Sequence, residues 1–242
     1  IYIYEKLFGL VSDVSLLELS DTNSKLLKEL SDQAPGTFHH SLQVANLAEA
    51  AANEIGANTL LVRVGALYHD IGKLKQPKYF SENQIAPDSP HDSLTPKQSA
   101  KIIIDHVLDG ILIAQKNKLP DRVIDFIRTH HGTSSVYYFY KKQLEFDPEG
   151  TNIEDFQYPG PRPFSKETAI LMMADAVEAA SKSLKAPDIG QLDLFIEKII
   201  SGKMEEGQFN ASNITLAEIE TVKKVLLRKL INVYQLRIEY PE

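Results

Sequence analysis

Apolar positions recur at helical spacing along most of the chain, and no stretch alternates in the way a half-buried strand would. Leu16, Leu17 and Leu19, then Leu26, Leu27 and Leu30, predict one or two short helices over 13–33. Pro35-Gly36 breaks the chain, and Thr37 can cap a helix over 38–55, rich in Ala, Leu and Glu and ended by Gly56. A second helix is expected from Thr59 to about Asp70, stopped by Gly72. Residues 74–95 carry Pro77, Pro87 and Pro90 with little periodicity, which predicts a long loop, a lid or a substrate wall. Thr95-Pro96-Lys97-Gln98 is a capping box with proline at the first helical position, opening a helix to about Lys118. Leu119-Pro120 starts the next, packed by Val123, Ile124, Phe126 and Ile127 and ending at His130-His131-Gly132-Thr133. An aromatic helix begins at Val136-Tyr137-Tyr138-Phe139-Tyr140 and fades by Phe146. Loop follows to 165, Ser165 caps a helix to about Leu184, and two more helices run over about 188–202 and 215–235. Thr215 and Glu218 form another capping box. The fold class is all-α.

Composition narrows the function classes. The 242 residues, 43% hydrophobic and 24% charged, suit one large or two small globular domains. With no cysteine there is neither a disulfide nor a thiolate metal site. The net charge of −7 and pI near 5.6 provide no field for a DNA or RNA polymer, so an anionic ligand needs a local positive centre such as metal ions. No apolar run is long enough to cross a bilayer, and no signal peptide is visible. The chain starts at Ile1, which is the expectation for a fragment of something longer. Ile1-Tyr2-Ile3-Tyr4 reads as the tail of a preceding segment.

Chemistry concentrates in histidines and carboxylates. His69-Asp70 sits at the end of an apolar helix. An imidazole offers one nitrogen, and a carboxylate has two oxygens that can bridge two ions. His39 and His40 are adjacent in a first helical turn. Neighbours differ by about 100° in direction, so one faces a site, and the face continuing through Val44 and Leu47 favours His40. His106 shares a stripe with Ile103, Val107, Gly110 and Ile111. His130-His131 end a helix. Asp175 falls amid Met172, Met173, Ala176 and Ala180, where an unpaired carboxylate is costly; Glu178, one turn on, competes with it. His91-Asp92 has no apolar helix behind it and reads as a loop pair. Arg162 can pair with a phosphate or lie solvated, and Tyr137 or Tyr158 can stack a base. The set His40, His69, Asp70, His106, His130, His131 and Asp175 exceeds the four ligands of a tetrahedral ion. It suits two ions about 3.5–4 Å apart, which generate a hydroxide and clamp phosphate oxygens: phosphoester hydrolysis. Such ligands favour iron, manganese, nickel or zinc.

His40, His69-Asp70 and Asp175 together resemble the signature of the HD-domain metal phosphohydrolases, with His106 and His130-His131 as the extra ligands of the binuclear subgroup. More closely, the chain resembles the cytoplasmic HD domain of the seven-transmembrane HD receptors, the PgpH-type cyclic di-AMP phosphodiesterases. The matching stretches are Pro35 to Leu42, His69 to Lys73, Pro90-His91-Asp92, His130 to Thr133, Tyr158 to Pro161, and Arg237-Ile238-Glu239-Tyr240-Pro241. Phe38 stands where the family usually shows Tyr, and Ser24 where His is expected. The resemblance implies a helical HD bundle with a binuclear iron or manganese site. His40, His69, Asp70 and Asp175 would hold one ion; Asp70, His106, His130 and His131 the other. A bridging hydroxide would open cyclic di-AMP to linear pApA, with Asp70 and Lys73 as catalytic groups and Lys73, Arg162 and Tyr158 as substrate contacts. Residues 1–34 would be a helical extension of an HD domain spanning 35–242. A membrane and extracellular region would precede it, making this the cytoplasmic domain of a bacterial plasma-membrane protein. Homodimerisation stays open.

Relatives with other substrates fit less well. The cyclic di-GMP group carries Gly-Tyr-Pro after its histidine pair, where this chain has Gly132-Thr133-Ser134. Guanosine tetraphosphate hydrolases show Glu-Asp shortly after His-Asp, which is absent here. The alternatives are an HD phosphodiesterase for another cyclic dinucleotide and a sensor module that binds a nucleotide without cleaving it.

Overall fold

The computed structural model describes residues 11–84, 88–185 and 187–235. Ile1-Tyr2-Ile3-Tyr4, Pro87 and the stretch Arg237 to Pro241 lie outside the described residues. The described chain is helical: α1 (Asp13–Leu19), α2 (Lys25–Gln33), α3 (Pro35–Glu54), α4 (Thr59–Tyr68), α5 (Pro96–Lys116), α6 (Asp121–Thr129), α7 (Tyr137–Phe146), α8 (Lys166–Ser181), α9 (Ile189–Glu205) and α10 (Leu216–Gln235). Short 3-10 turns interrupt the connections. One isolated antiparallel bridge, Ser135 to Gln157, is the strand-like pairing found among the described residues.

α3 is the axis of the bundle. Its buried positions include Val44, Ala45, Ala48, Ala51 and Ala52, and α2, α4, α8 and α10 all pack on it. Small side chains let those neighbours approach, while Leu30, Val64, Ile127 and Leu171 fill the spaces between them. Burying each such aliphatic side chain contributes about 1.5–3 kcal/mol. Among the described residues, no helix is long and apolar enough to cross a membrane.

Two expected helix ends are corrected. Thr37 does not cap α3, which begins two residues earlier with Pro35 at its first position. The cap comes from across the fold: Thr37 N–H donates to the Asn83 side chain at 3.1 Å, and the Thr37 hydroxyl donates to Glu82 at 3.0 Å. Within the 74–95 segment, a 3-10 turn, Ser81–Asn83, is therefore pinned to the start of α3. Nor does Gly72 stop α4. The helix ends at Tyr68, and the chain runs through His69 and Asp70 into a 3-10 turn, Ile71–Lys75. Gly72 serves close approach instead, because a Cβ there would lie 1.8 Å from the His106 carbonyl oxygen of α5.

Candidate metal centre

Four elements converge beside α3. Its first turns carry His40 inward and leave His39 exposed, as the angular offset between neighbours requires. The end of α4 delivers His69 and Asp70, the middle of α5 His106, the end of α6 His130 and His131, and α8 Asp175. Gly132, at φ +52, turns the chain away after His131. Among the described residues these side chains form two groups able to hold a metal: Asp70, His106, His130 and His131; and His40, His69 and Asp175. Within each group the ligand atoms lie within 4.8 Å of one another.

Asp70 joins the groups. Its Oδ1 faces His106 Nε2 at 3.3 Å and His130 Nε2 at 3.6 Å. Its Oδ2 faces His69 Nε2 at 3.3 Å and His40 Nε2 at 3.5 Å. Asp175 lies 3.0 Å from His40 Nε2 and 3.7 Å from His69 Nε2. The opposite ring nitrogens are held from behind. Nδ1 of His69 donates to the Ala66 carbonyl at 2.7 Å, Nδ1 of His130 to the Ile127 carbonyl at 2.8 Å, and Nδ1 of His106 to the Ile103 carbonyl. That anchoring leaves each Nε2 aimed at the centre. Glu178 does not share Asp175's position: its carboxylate lies 2.5 Å from His40 Nδ1, on the far side of the ring.

Charge at the centre is tightly coupled. Burial pushes the Asp70 carboxyl up, but Lys73 and His69 outweigh it and hold the group well below the usual carboxylate range. Burial does the same at Asp175, where His40 and His69 outweigh it. Burial opposes a charge on His69, yet Asp70 and Asp175 hold its pKa up at about 10. His131 goes the other way: burial, then neighbouring His130 and His106, push it well below the ordinary value. Burial also opposes the charge on Lys73, but Asp70 at 2.8 Å and Glu82 at 2.7 Å keep it firmly an ammonium.

The residues fit a pair of divalent cations. His69 Nε2 and Asp70 Oδ1 are buried with no hydrogen-bond partner, an arrangement that is costly unless something else satisfies them. The donor set, imidazole nitrogen with carboxylate oxygen, suits a transition metal. A cavity of about 500 Å³ opens onto these groups and is also lined by Lys73, Glu82, Lys182 and Lys203.

Other residues singled out in the sequence lie around this centre. Tyr158 is 8% exposed and stacks on His131, with ring centroids 4.2 Å apart and planes at 27°. One of its faces is therefore taken. Tyr137 is 59% exposed on α7. Arg162 is exposed and donates to the Thr133 hydroxyl at 3.1 Å. The loop pair is structural: His91 Nε2 contacts the Tyr79 carbonyl at 2.8 Å, and Asp92 completes a capping box with Ser89. Ser24 bonds Tyr68 Oη at 3.2 Å, behind α4. Gln208, 1% exposed, accepts from Thr133 N–H at 3.1 Å and braces the turn after His131. Sequence reading passed over Gln208, Glu82, Lys182 and Lys203. The one local signal was Gly207-Gln208, a turn beyond the end of α9.

Residues 37–180 match the HD domain family. The chain is 46% identical over 239 residues to the cyclic-di-AMP phosphodiesterase PgpH of Bacillus subtilis, covering 99% of this chain and 34% of that protein. It is 46% identical over 240 residues to PgpH of Listeria monocytogenes, covering 99% of this chain and 33% of that one. The chain thus spans about a third of the length of these curated relatives. The crystal structure of the L. monocytogenes PgpH HD domain in complex with cyclic-di-AMP superposes with a TM-score of 0.86. It covers 88% of this chain and 100% of that chain at 46% identity.

Proposed function

The chain belongs to the HD domain family, and from that premise we propose that it is a metal-dependent phosphodiesterase that hydrolyses cyclic di-AMP to pApA. The observation that carries the reading is Asp70: one oxygen faces each ligand group, as a carboxylate bridging two cations would. The choice of substrate draws on the relatives and on the related domain solved with cyclic-di-AMP.

His40, His69, Asp70 and Asp175 would hold one ion; Asp70, His106, His130 and His131 would hold the other, with iron or manganese as the metals. When bound, such a pair supplies a nucleophile from water at neutral pH and Lewis-acid charge for phosphoryl oxygens. The chain's own residues supply the rest. Nδ1 anchoring fixes three imidazoles so that no reorientation is needed during reaction. Lys73 is a half-buried ammonium at the cavity wall and serves as a cation toward a phosphate, with Arg162 a weaker candidate. Tyr158, stacked on His131, is the third candidate for a substrate contact. Hydrolysis adds water across one phosphodiester: phosphorus gains the oxygen, its bond to the ribose O3′ breaks, and O3′ leaves as a hydroxyl. We further assign 1–34 as a helical extension of an HD domain spanning 35–242. We place the domain on the cytoplasmic side of a bacterial plasma-membrane protein.

The test is a side-by-side assay of the manganese-loaded chain on cyclic di-AMP and cyclic di-GMP, with products separated by chromatography. Formation of pApA that a chelator stops is expected. Preferential cleavage of cyclic di-GMP would overturn the adenine assignment. Tight binding without cleavage of either would replace the enzyme with a nucleotide sensor.

A further inference from the structure

The imidazoles facing Asp70 are not anchored alike. His69, His106 and His130 each rest Nδ1 on a neutral carbonyl three residues back in their own helix. His40 rests Nδ1 on a carboxylate 138 residues away, Glu178 Oε2, at 2.5 Å. Both partners are buried. α8 is the reason: it presents Asp175 to the Nε2 side of the ring at 3.0 Å and, one turn on, Glu178 to the Nδ1 side.

We propose that Glu178 is a positioning residue for His40 and, through it, for the ion held by His40, His69, Asp70 and Asp175; this rests on the two-ion reading above. Lys182 Nζ lies 3.4 Å from His40 Nδ1 and 3.0 Å from Glu178 Oε2. An ammonium has donors only, so it competes with a protonated Nδ1 and instead serves the carboxylate. A carboxylate only accepts, so Nδ1–H donates to Glu178, Lys182 balances the charge, and Nε2 is left to face the centre. A hydrogen bond to an ionised acceptor is about twice as strong as one to a neutral acceptor, and it makes the imidazole a better metal donor. The two ion positions are thus built unequally. The His40 position depends on a side chain that mutation can remove; anchoring of His106 and His130 depends on backbone that it cannot.

The test titrates manganese into the ion-free wild-type chain, Glu178→Ala and Glu178→Gln by calorimetry, with the ring nitrogens followed by NMR. Two ions are expected in the wild type. Glu178→Ala should weaken one by about 10–100-fold and leave the other within about twofold. Glu178→Gln, whose amide oxygen still accepts from Nδ1, should recover most of that loss. In the ion-free wild type the His40 Nδ1–H proton should be strongly deshielded, and Glu178→Ala should abolish that signal. Wild-type affinity for both ions in Glu178→Ala, equal weakening of both, or no recovery in Glu178→Gln would overturn the proposal. A wild-type chain that binds fewer than two ions would overturn the two-ion reading. The Nδ1–H signal, read without metal, would still report on the Glu178 contact alone.

Discussion

Replacing Gly72 by alanine tests how the fold sets the centre. Gly72 lies two residues after Asp70, in the 3-10 turn that rests on α5. An added Cβ would sit 1.8 Å from the His106 carbonyl oxygen and 2.5 Å from Gly110 N. Both neighbours are backbone, so no side chain can swing away. Ordinary carbon-to-oxygen contact is about 3.3 Å or more, so the turn and α5 must separate by about 1.5 Å. α5 carries His106, whose Nε2 is 3.3 Å from Asp70 Oδ1. A shift of that size takes His106 out of reach of an ion whose ligand bonds are about 2.0–2.2 Å long. Overpacking of this kind costs about 1–3 kcal/mol. At about 2–4 °C per kcal/mol for a chain of this length, Tm should fall by about 2–12 °C. A misplacement of about 1 Å in a catalytic group costs on the order of 100-fold in rate, and turnover of cyclic di-AMP should drop by at least that. The control is Gly202→Ala in α9, where nothing lies within 4 Å of the added Cβ. There helix propensity alone should raise stability by about 0.5–1 kcal/mol. Thermal unfolding, metal content and turnover of both variants settle the matter. A Gly72→Ala variant with wild-type Tm, metal and rate would refute the claim that this close approach positions His106.

Asp70→Ala should abolish turnover and lower bound metal measured by elemental analysis, because both ligand groups lose their shared carboxylate; normal metal with a normal rate would remove Asp70 from that role. Asp175→Ala should reduce activity far more than Glu178→Ala when metal is saturating, since Asp175 faces the centre and Glu178 faces the back of His40; equal effects in the same assay would put the last ligand in doubt. Stability of the ion-free chain should depend on pH through His69. Its folded pKa, near 10, is above the ordinary histidine value of 6.5, so its contribution is complete below pH 6.5 and is lost as pH rises toward 10. Tm of the ion-free chain should therefore fall between pH 7 and 10, and the metal-loaded chain, with a neutral His69, should show less of that slope; parallel curves would contradict it.

Much of the candidate centre is legible in sequence because its residues obey local rules. His106 lies on the apolar stripe of α5, His40 on the inner face of α3, His130 at the end of amphipathic α6 and His69 at the end of apolar α4, so the local pattern turns them inward. Asp175 stood out as a carboxylate among small apolar residues. What escaped were features set by distant parts of the chain. Thr37 looked like a cap, but Asn83, 46 residues on, fills that role. Gly72 looked like a helix stop, but its constraint comes from the backbone of α5. Asp175 and Glu178 could not be separated by spacing, because only the placement of α3 against α8 shows which side of the His40 ring each one meets. Glu82, Lys182 and Lys203 carry no periodic or motif signal, and Gln208 only the turn at Gly207; tertiary packing brings them to the cavity or to the turn behind His131.

The most direct test of the central claim is anomalous diffraction from crystals of the manganese-loaded chain. Two anomalous peaks are expected, one beside each oxygen of Asp70 at bonding distance, the first among His40, His69 and Asp175 and the second among His106, His130 and His131. A single peak, or two peaks on one oxygen, would contradict the bridging carboxylate on which the account rests.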